Sequence, residues 1–567
     1  HHGMPRREAE LVELVLRLLR AGPARAASLA EAGDCDAALV LGEDVTQTAP
    51  MLAHELRRCA RQQPWRAARR LGIPEWHDLA VRTAAQGDAG PLFVVSPAPT
   101  RLDDAARAVM RAVPEEAARL GHAVAHALDP GSAPPEGLGE PAASLARRIA
   151  GDLAAAERPL VVSGTGCGAR EPILAAAAVA RALERGPAAG KVRVTFTLPE
   201  CDSLGAALLG GGSLEDALEA LRRGAPGLLV VENDLHRRAP AAEVERALAG
   251  VPLIGVIDLL DTRCARAASA CLPAASWAEG DGTFVNNEGR AQRFYQVLPP
   301  DGGVAESWRW VRDLARAAGR ADIAAWRHLD DVALAMGRAE PALAAVPPSR
   351  FSAGFRVTGA KIPREPHRAS GRTALLAHIA VREKKPPDDP DGPFSFSMEG
   401  AGRGVPGPLL PRFWHPGWNS AQAVHRFQQE VLGPLRGGEP GLRLIEPDGP
   451  ARPEDHGPPP PPFRRRNGAW RVAPLHHVFG SEELSRLAPG IAQLAPLPYL
   501  ALGPEEASSR GLVEGTEIAV REPGGAWESR LPLRILAGLP AGVAGLPRGL
   551  DGIEQGPLPD WIEQVLP

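Results

Sequence analysis

Residues Ala275–Phe294 read ASWAEGDGTFVNNEGRAQRF. Ser276, Glu279, Asp281, Thr283, Asn286, Asn287, Glu288, Arg290, Gln292 and Arg293 crowd donors and acceptors around Gly280, Gly282 and Gly289, residues that permit tight turns. So dense a run of polar side chains does not suit a core element. It describes a binding or docking loop, which costs stability unless something fixes it.

Upstream, from Cys35 to about Cys271, short apolar runs alternate with Ala-, Leu- and Arg-rich stretches at helical spacing. That alternation predicts a parallel sheet covered by helices. The expected strands are Ala37–Leu41, Leu92–Ser96, Leu160–Ser163, Val192–Thr197, Leu228–Val231 and Leu253–Ile257. Their continuous apolar character suits strands buried on both faces. Helices are expected at Ile173–Leu183 and Leu214–Arg222, and from Trp310 towards Met336. Residues 341–471 are rich in Pro and Gly and read as extended chain packing over the α/β part, with Pro458–Pro462 as a stiff spacer. From Tyr499 onwards, short alternating strands, a brief helix over Pro504–Arg510 and a Gly524–Gly525 turn predict a small β-barrel.

The loop resembles the corresponding segment of the molybdopterin oxidoreductase superfamily, and its wording is most similar to the G-subunit family of bacterial NADH-quinone oxidoreductase, respiratory complex I. LGEDVTQTAP (Leu41–Pro50), TRLDD (Thr100–Asp104), GGGSLEDAL (Gly210–Leu218), ENDLHRR (Glu232–Arg238) and ESWRW (Glu306–Trp310) carry the same resemblance. So do REPHRASGRTA (Arg364–Ala374), FSFSMEG (Phe394–Gly400), PGWNSAQA (Pro416–Ala423), FGSEELS (Phe479–Ser485) and AGLPRGLDGI (Ala544–Ile553). The resemblance implies molybdopterin-oxidoreductase-like parallel α/β domains over 1–340, the Pro/Gly segment over 341–471, and a double-psi barrel like the dinucleotide-binding domain over 472–567.

In the molybdopterin enzymes the loop lies against the pterin, which gives Asn287, Glu288, Arg290 and Gln292 a cofactor-lining role by resemblance. In the G-subunit family the fold is kept and no cofactor is expected, so the loop becomes a relic used for packing and subunit contact. That family's iron–sulfur clusters belong to an N-terminal part whose ligand motifs this sequence lacks. The expected role is therefore a scaffold in the peripheral arm, partnered by the flavin subunit and iron–sulfur subunits and attached indirectly to the cytoplasmic face of the inner membrane. The alternative is a molybdenum or tungsten enzyme resembling formate dehydrogenase. A further alternative is a free-standing interaction module from a split gene. The opening His1-His2-Gly3, with Met4 inside, reads as a fragment, a split gene or a tag remnant.

Other constellations have local readings. Gly164-Thr165-Gly166-Cys167-Gly168 follows an expected strand, where backbone amides can hold a phosphate. Its spacing is not GxGxxG, which favours a tight strand-to-helix turn. Gly210-Gly211-Gly212-Ser213 offers a similar cradle, but Ser213 and Asp216 form a capping pattern. His122 and His126 share a helical face without the glutamate of a metalloprotease, and His476 and His477 point apart in a strand. Ser163, Ser276 and Ser481 lack a hydrolase nucleophile setting. No catalytic set and no metal-ligand set is legible.

Composition narrows the classes further. The net charge is −4 with pI near 6.5, which argues against nucleic acid as a main partner, since phosphate binding needs a concentrated basic face. Arg464–Arg466 is the one tight basic triplet and reads as a solvated linker edge. No apolar run reaches the ~20 residues of a membrane span, and no signal sequence opens the chain, which favours the cytoplasm. The six cysteines form no CxxC pair and read as six buried, reduced thiols.

Overall fold

The computed structural model describes residues 1–22, 24–347, 441–447, 457–525, 527–553 and 556–565. Of the expected segment 341–471 only 341–347, 441–447 and 457–471 are among them, and the motifs at 364–374, 394–400 and 416–423 lie outside. The described residues form two units. The larger holds all that follows except residues 441 and 442 and residues 63–88, the last carrying most of the helix Gln62–Arg70 and the helix Asp78–Ala85.

The larger unit is built on a parallel sheet. Strands β1 (Arg25–Ala26), β2 (Ala37–Leu41), β3 (Leu92–Ser96), β4 (Ala108–Arg111), β5 (Pro159–Gly164) and β6 (Arg193–Thr197) lie in the order β1-β6-β5-β2-β3-β4. Every residue of β2, β3 and β5 is buried. Alternation then sends each strand's side chains to two cores. Leu39, Leu41, Phe93, Val95 and Val161 enter the core with helices Arg6–Ala21, Pro114–Leu128 and Glu171–Glu184. Ala38, Val40, Leu92, Val94, Leu160 and Val162 enter the core with helices Leu29–Asp34 and Pro50–Cys59. Burying each large side chain stabilises by about 1.5–3 kcal/mol. Gly121 marks a close contact between helices Pro114–Leu128 and Glu171–Glu184, since a Cβ there would stand 2.9 Å from Ala175 Cβ and 3.0 Å from Leu41 Cδ1.

The single expected sheet divides in two. Strands β7 (Leu228–Val231), β8 (Ile254–Asp258) and β9 (Ala270–Pro273) form a separate three-stranded parallel sheet with its own core around Leu218, Val244 and Val256. The apolar run of β7 reads as doubly buried, yet Leu229 and Val231 are exposed, because helices cover only one of its faces. The two short strands β1 and β4 lack the apolar run that would mark them in the sequence. The helix expected beyond Trp310 is broken into Ser307–Ala317, Ala321–Ala324 and Leu329–Ala339, with Gly319 at a positive φ of 76° ending the first.

Strands β10 (Gly282–Val285) and β11 (Arg290–Phe294) form an antiparallel hairpin inside the opening loop, and β12 (Leu442–Arg443) is a two-residue strand. The C-terminal strands β13 (Ala469–Leu475), β14 (Leu500–Leu502), β15 (Glu517–Arg521), β16 (Glu528–Ile535), β17 (Val543–Pro547) and β18 (Trp561–Gln564) close a barrel in the order β13-β17-β14-β16-β15-β18. Parallel pairs β13/β17 and β14/β16 mix with antiparallel ones, in keeping with the double-psi expectation. The helix Pro504–Ser509 and the Gly524 turn stand where the sequence places them. Trp470 is fully buried in the barrel and donates its Nε1 hydrogen to Glu506 Oε1 at 2.8 Å.

Candidate functional site

The hairpin loop satisfies its own polar groups. Asn286 Oδ1 accepts from the backbone N–H of Glu288 at 3.1 Å and of Arg290 at 3.0 Å, an Asx arrangement that pins the turn. Gly289 takes a φ of 76°, and a Cβ there would stand 2.5 Å from Ile445 Cβ, so glycine is required twice over. Glu288 and Arg290 are both buried, and Arg290 Nε donates to Glu288 Oε1 at 2.7 Å. Arg443 Nη2 donates to the other oxygen of Glu288 at 2.8 Å. Gln292 is exposed and accepts from Asn286 Nδ2 at 3.4 Å, while Asn287 is half-buried beside them. Further along, Ser276 pairs with Glu279, and Arg293 Nη1 donates to Asp330 at 2.6 Å. Docking of the hairpin comes from Val285 N–H donating to Asp202 Oδ1 at 2.6 Å, where burial raises the Asp202 carboxyl to about 6.

The glycine-rich turn after β5 is filled from within. Gly166 N–H donates to Glu43 Oε1 at 2.6 Å, and Thr165 N–H donates to the Thr197 carbonyl at 3.0 Å. Glu43 is buried, and desolvation pushes its carboxyl up to about 7 against the pull of the Gly166 hydrogen bond. Neighbouring Cys167 is buried, and the same effect pushes its thiol up to about 12. Ser213 and Asp216 form the expected capping box, with Asp216 N–H donating to Ser213 Oγ at 3.2 Å.

A cavity of about 380 Å³ opens between this turn and the barrel. Four of the family-like stretches wall it together: Gln47 and Thr48 from the first, Arg237 and Arg238 from ENDLHRR, Glu482 and Glu483 from FGSEELS, and Arg548 and Gly549 from AGLPRGLDGI. None of Asn287, Glu288, Arg290 and Gln292 lines it. Its guanidinium groups are matched by carboxylates. Arg238 meets Glu200 at 2.7 Å, Arg237 meets Glu483 at 2.8 Å, and Arg548 is hydrogen-bonded to Glu8. Arg237 Nη1 is buried with no hydrogen-bond partner among the described residues. His476 Nε2 lies 2.8 Å from the Gly166 carbonyl, and desolvation lowers its pKa to about 4, so it donates there as the neutral ring. His477 turns to Tyr499 Oη at 3.0 Å; the two histidines take different partners, but they lie past the end of β13 at Leu475 and not in a strand, and both line the cavity.

The remaining sequence candidates are structural. His122 is buried with its pKa lowered to about 4 by desolvation, whereas His126 Nδ1 lies 2.7 Å from the Ser132 carbonyl. Ser163 Oγ donates to the Leu41 carbonyl and Ser481 Oγ to that of Arg548. Arg464–Arg466 are exposed, and Arg466 lies 4.2 Å over the Trp561 ring. The cysteine expectation is corrected: four are buried, but Cys201, in the turn before helix Ser203–Leu209, and Cys271, on the edge strand β9, are exposed. All six are free thiols. Sequence reasoning misses Glu43, Arg237 and Arg238 as individual residues, although the stretches that hold them carry the family-like wording.

Comparison with known proteins agrees with this architecture. The molybdopterin oxidoreductase family profile matches residues 175–317. The NADH-quinone oxidoreductase G subunit of Pseudomonas fluorescens is 42% identical over 562 residues, covering 96% of this chain and 61% of that protein. The protein of the same name from Pseudomonas putida is 43% identical over 550 residues, covering 96% and 60%. That of Escherichia coli K12 is 42% identical over 557 residues, covering 95% and 60%. The chain thus spans about 60% of the length of these relatives. Among solved structures, acetylene hydratase from Pelobacter acetylenicus has the same fold, with a TM-score of 0.50 at 12% identity over 96% of this chain and 74% of that one.

Proposed function

Along 96% of its length the chain is a homologue of the NADH-quinone oxidoreductase G subunit, and from that premise we propose that it is a scaffold portion of that complex's peripheral arm. In this reading the whole complex passes electrons from NADH through flavin and iron–sulfur clusters to quinone, and this portion supplies shape and subunit contacts. Its partners are the flavin subunit and the iron–sulfur subunits, and it meets the cytoplasmic face of the membrane through them. No helix among the described residues is long and apolar enough to cross a membrane.

The observation that carries the scaffold reading is Glu43. A pterin phosphate needs free amides and unbalanced cations, yet the Gly166 amide is engaged by the chain's own carboxyl. The arginines of the cavity are matched by Glu8, Glu200 and Glu483. A molybdenum ligand is expected to be a cysteine, selenocysteine or serine, but no cysteine among the described residues lines the 380 Å³ cavity, and the Ser481 hydroxyl that does is engaged by the Arg548 carbonyl and the His477 N–H. The residues present therefore do not fit the molybdopterin group.

The test is purification of the chain from its own host through an affinity tag under native conditions. Co-elution with NADH-oxidising activity, without molybdenum, tungsten or pterin, is the expected result. A chain that elutes alone with stoichiometric molybdenum or tungsten and pterin overturns the proposal in favour of the enzyme alternative.

A further inference from the structure

The small sheet β7-β8-β9 gathers three metal-ligating side chains that the scaffold role does not use. Asp234 and His236 follow the carboxyl end of β7, on the cap and second residue of the short helix Leu235–Arg238. Cys264 follows the end of β8, on the helix Arg263–Ala267. The crevice outside the carboxyl ends of parallel strands is where α/β sheets place ligands. Here two adjacent crossovers bring the donors together from positions 28 residues apart.

Their spacing is the second observation. Cys264 Sγ lies 3.4 Å from His236 Nδ1, Asp234 Oδ1 lies 3.8 Å from the same nitrogen, and all three donor atoms fall within 4.8 Å of one another. A tetrahedral zinc ion, with bonds of about 2.3 Å to sulfur and 2.0 Å to nitrogen, separates those two ligand atoms by about 3.5 Å. Cys264 and His236 are buried, whereas Asp234 is partly exposed and opens a path to solvent. The hydrogen bond from the His236 backbone N–H to Asp234 Oδ1, at 3.1 Å, sets the carboxylate beside the ring before any ion arrives.

We propose that Asp234, His236 and Cys264 form a zinc site with one sulfur, one nitrogen and one oxygen ligand, its fourth position taken by water. A mixed S/N/O set suits zinc, which is borderline-soft, better than the hard cations calcium and magnesium. Binding releases the Cys264 thiol proton and the His236 Nδ1 proton to solvent, so that zinc bonds to a thiolate and to the neutral imidazole; no oxidant or reductant is needed. The site stands apart from the 380 Å³ cavity, since none of the three residues lines it.

The test uses the full chain, stripped with chelator, in which Cys201→Ser and Cys271→Ser remove the two exposed thiols. It is titrated with cobalt(II) and then with zinc. One cobalt per chain, with a thiolate-to-cobalt charge-transfer absorption that zinc abolishes, is the expected result. Adding Cys264→Ser removes the absorption, and adding His236→Gln weakens zinc binding by at least ~10-fold. Circular dichroism checks that these variants fold. Should they not, the charge-transfer intensity in the chain that keeps Cys264, expected at one thiolate per bound cobalt, decides the matter. No charge-transfer band, a band that survives Cys264→Ser, or an intensity of two or more thiolates per cobalt overturns the site.

Discussion

Gly166 N–H donates to Glu43 Oε1 at 2.6 Å across 123 residues of sequence, so a carboxyl from the loop after β2 fills the anion seat of the turn after β5. The seat is tight as well as filled, since a Cβ at position 166 would stand 2.5 Å from Glu43 Oε2.

This pairing predicts a pH dependence. Burial raises the Glu43 carboxyl from its ordinary 4.5 to about 7, so the folded state binds the proton more tightly than the unfolded chain does. The stability linked to that proton is therefore full below 4.5 and is lost as the pH rises through about 7. The shift corresponds to a difference on the order of 3 kcal/mol between the two ends of that window. Glu43→Gln keeps an acceptor for Gly166 and removes the titration. Urea unfolding at pH 5 and pH 8 is expected to show the variant gaining on the parent at the higher pH. An equal difference at both values would refute the assignment.

The turn itself tolerates no side chain at position 164. A Cβ there would lie 2.5 Å from the Thr197 carbonyl oxygen, which is backbone and cannot swing away. Gly164→Ala is expected to destabilise by about 1–3 kcal/mol. Comparison of its denaturant midpoint with that of Gly151→Ala, where a Cβ meets open space, provides the check.

Glu288 is the keystone of the hairpin clasp, receiving Arg290 at 2.7 Å and Arg443 at 2.8 Å with all three side chains at 10% exposure or less. Glu288→Ala strips two buried guanidinium groups of their shortest carboxylate contact. A loss of about 3–5 kcal/mol is expected, with Glu288→Gln milder. Calorimetry of the two variants gives the measurement, and a loss below about 1 kcal/mol for alanine, the range of an exposed pair, would show that the clasp does not hold the loop.

Arg471 ties the barrel to the α/β layer, meeting Glu115 in the first turn of helix Pro114–Leu128 at 3.1 Å and Asp560 at 2.9 Å. A double-mutant cycle with Arg471→Met and Glu115→Gln is expected to return a coupling of about 1–3 kcal/mol, above that of surface pairs. A value near zero would assign the junction to the apolar cluster that holds Val113, Tyr499 and Val543 instead.

The strands β2 and β3 are legible to the residue, because a run of four or five buried apolar side chains has few other uses. The barrel is legible through alternation and its glycine turn. The division into two sheets is not, since LLVV at β7 has the same local pattern whether one face is covered or both. The loop Ala275–Phe294 announces polar chemistry, but its donors and acceptors turn inward on each other. Sequence density of polar groups cannot separate a site that awaits a ligand from one that is already satisfied.

What the sequence determined by itself is therefore the period of burial, the turn chemistry and the kinship carried by its wording. Those depend on neighbours along the chain, where backbone geometry sets the spacing. The tertiary structure decided which distant groups meet: Glu43 with Gly166, His236 with Cys264, and four separate stretches around one cavity. Sheet order and crossover packing place such pairs, and the buried surroundings then set which carboxyl holds its proton and which arginine is already paired.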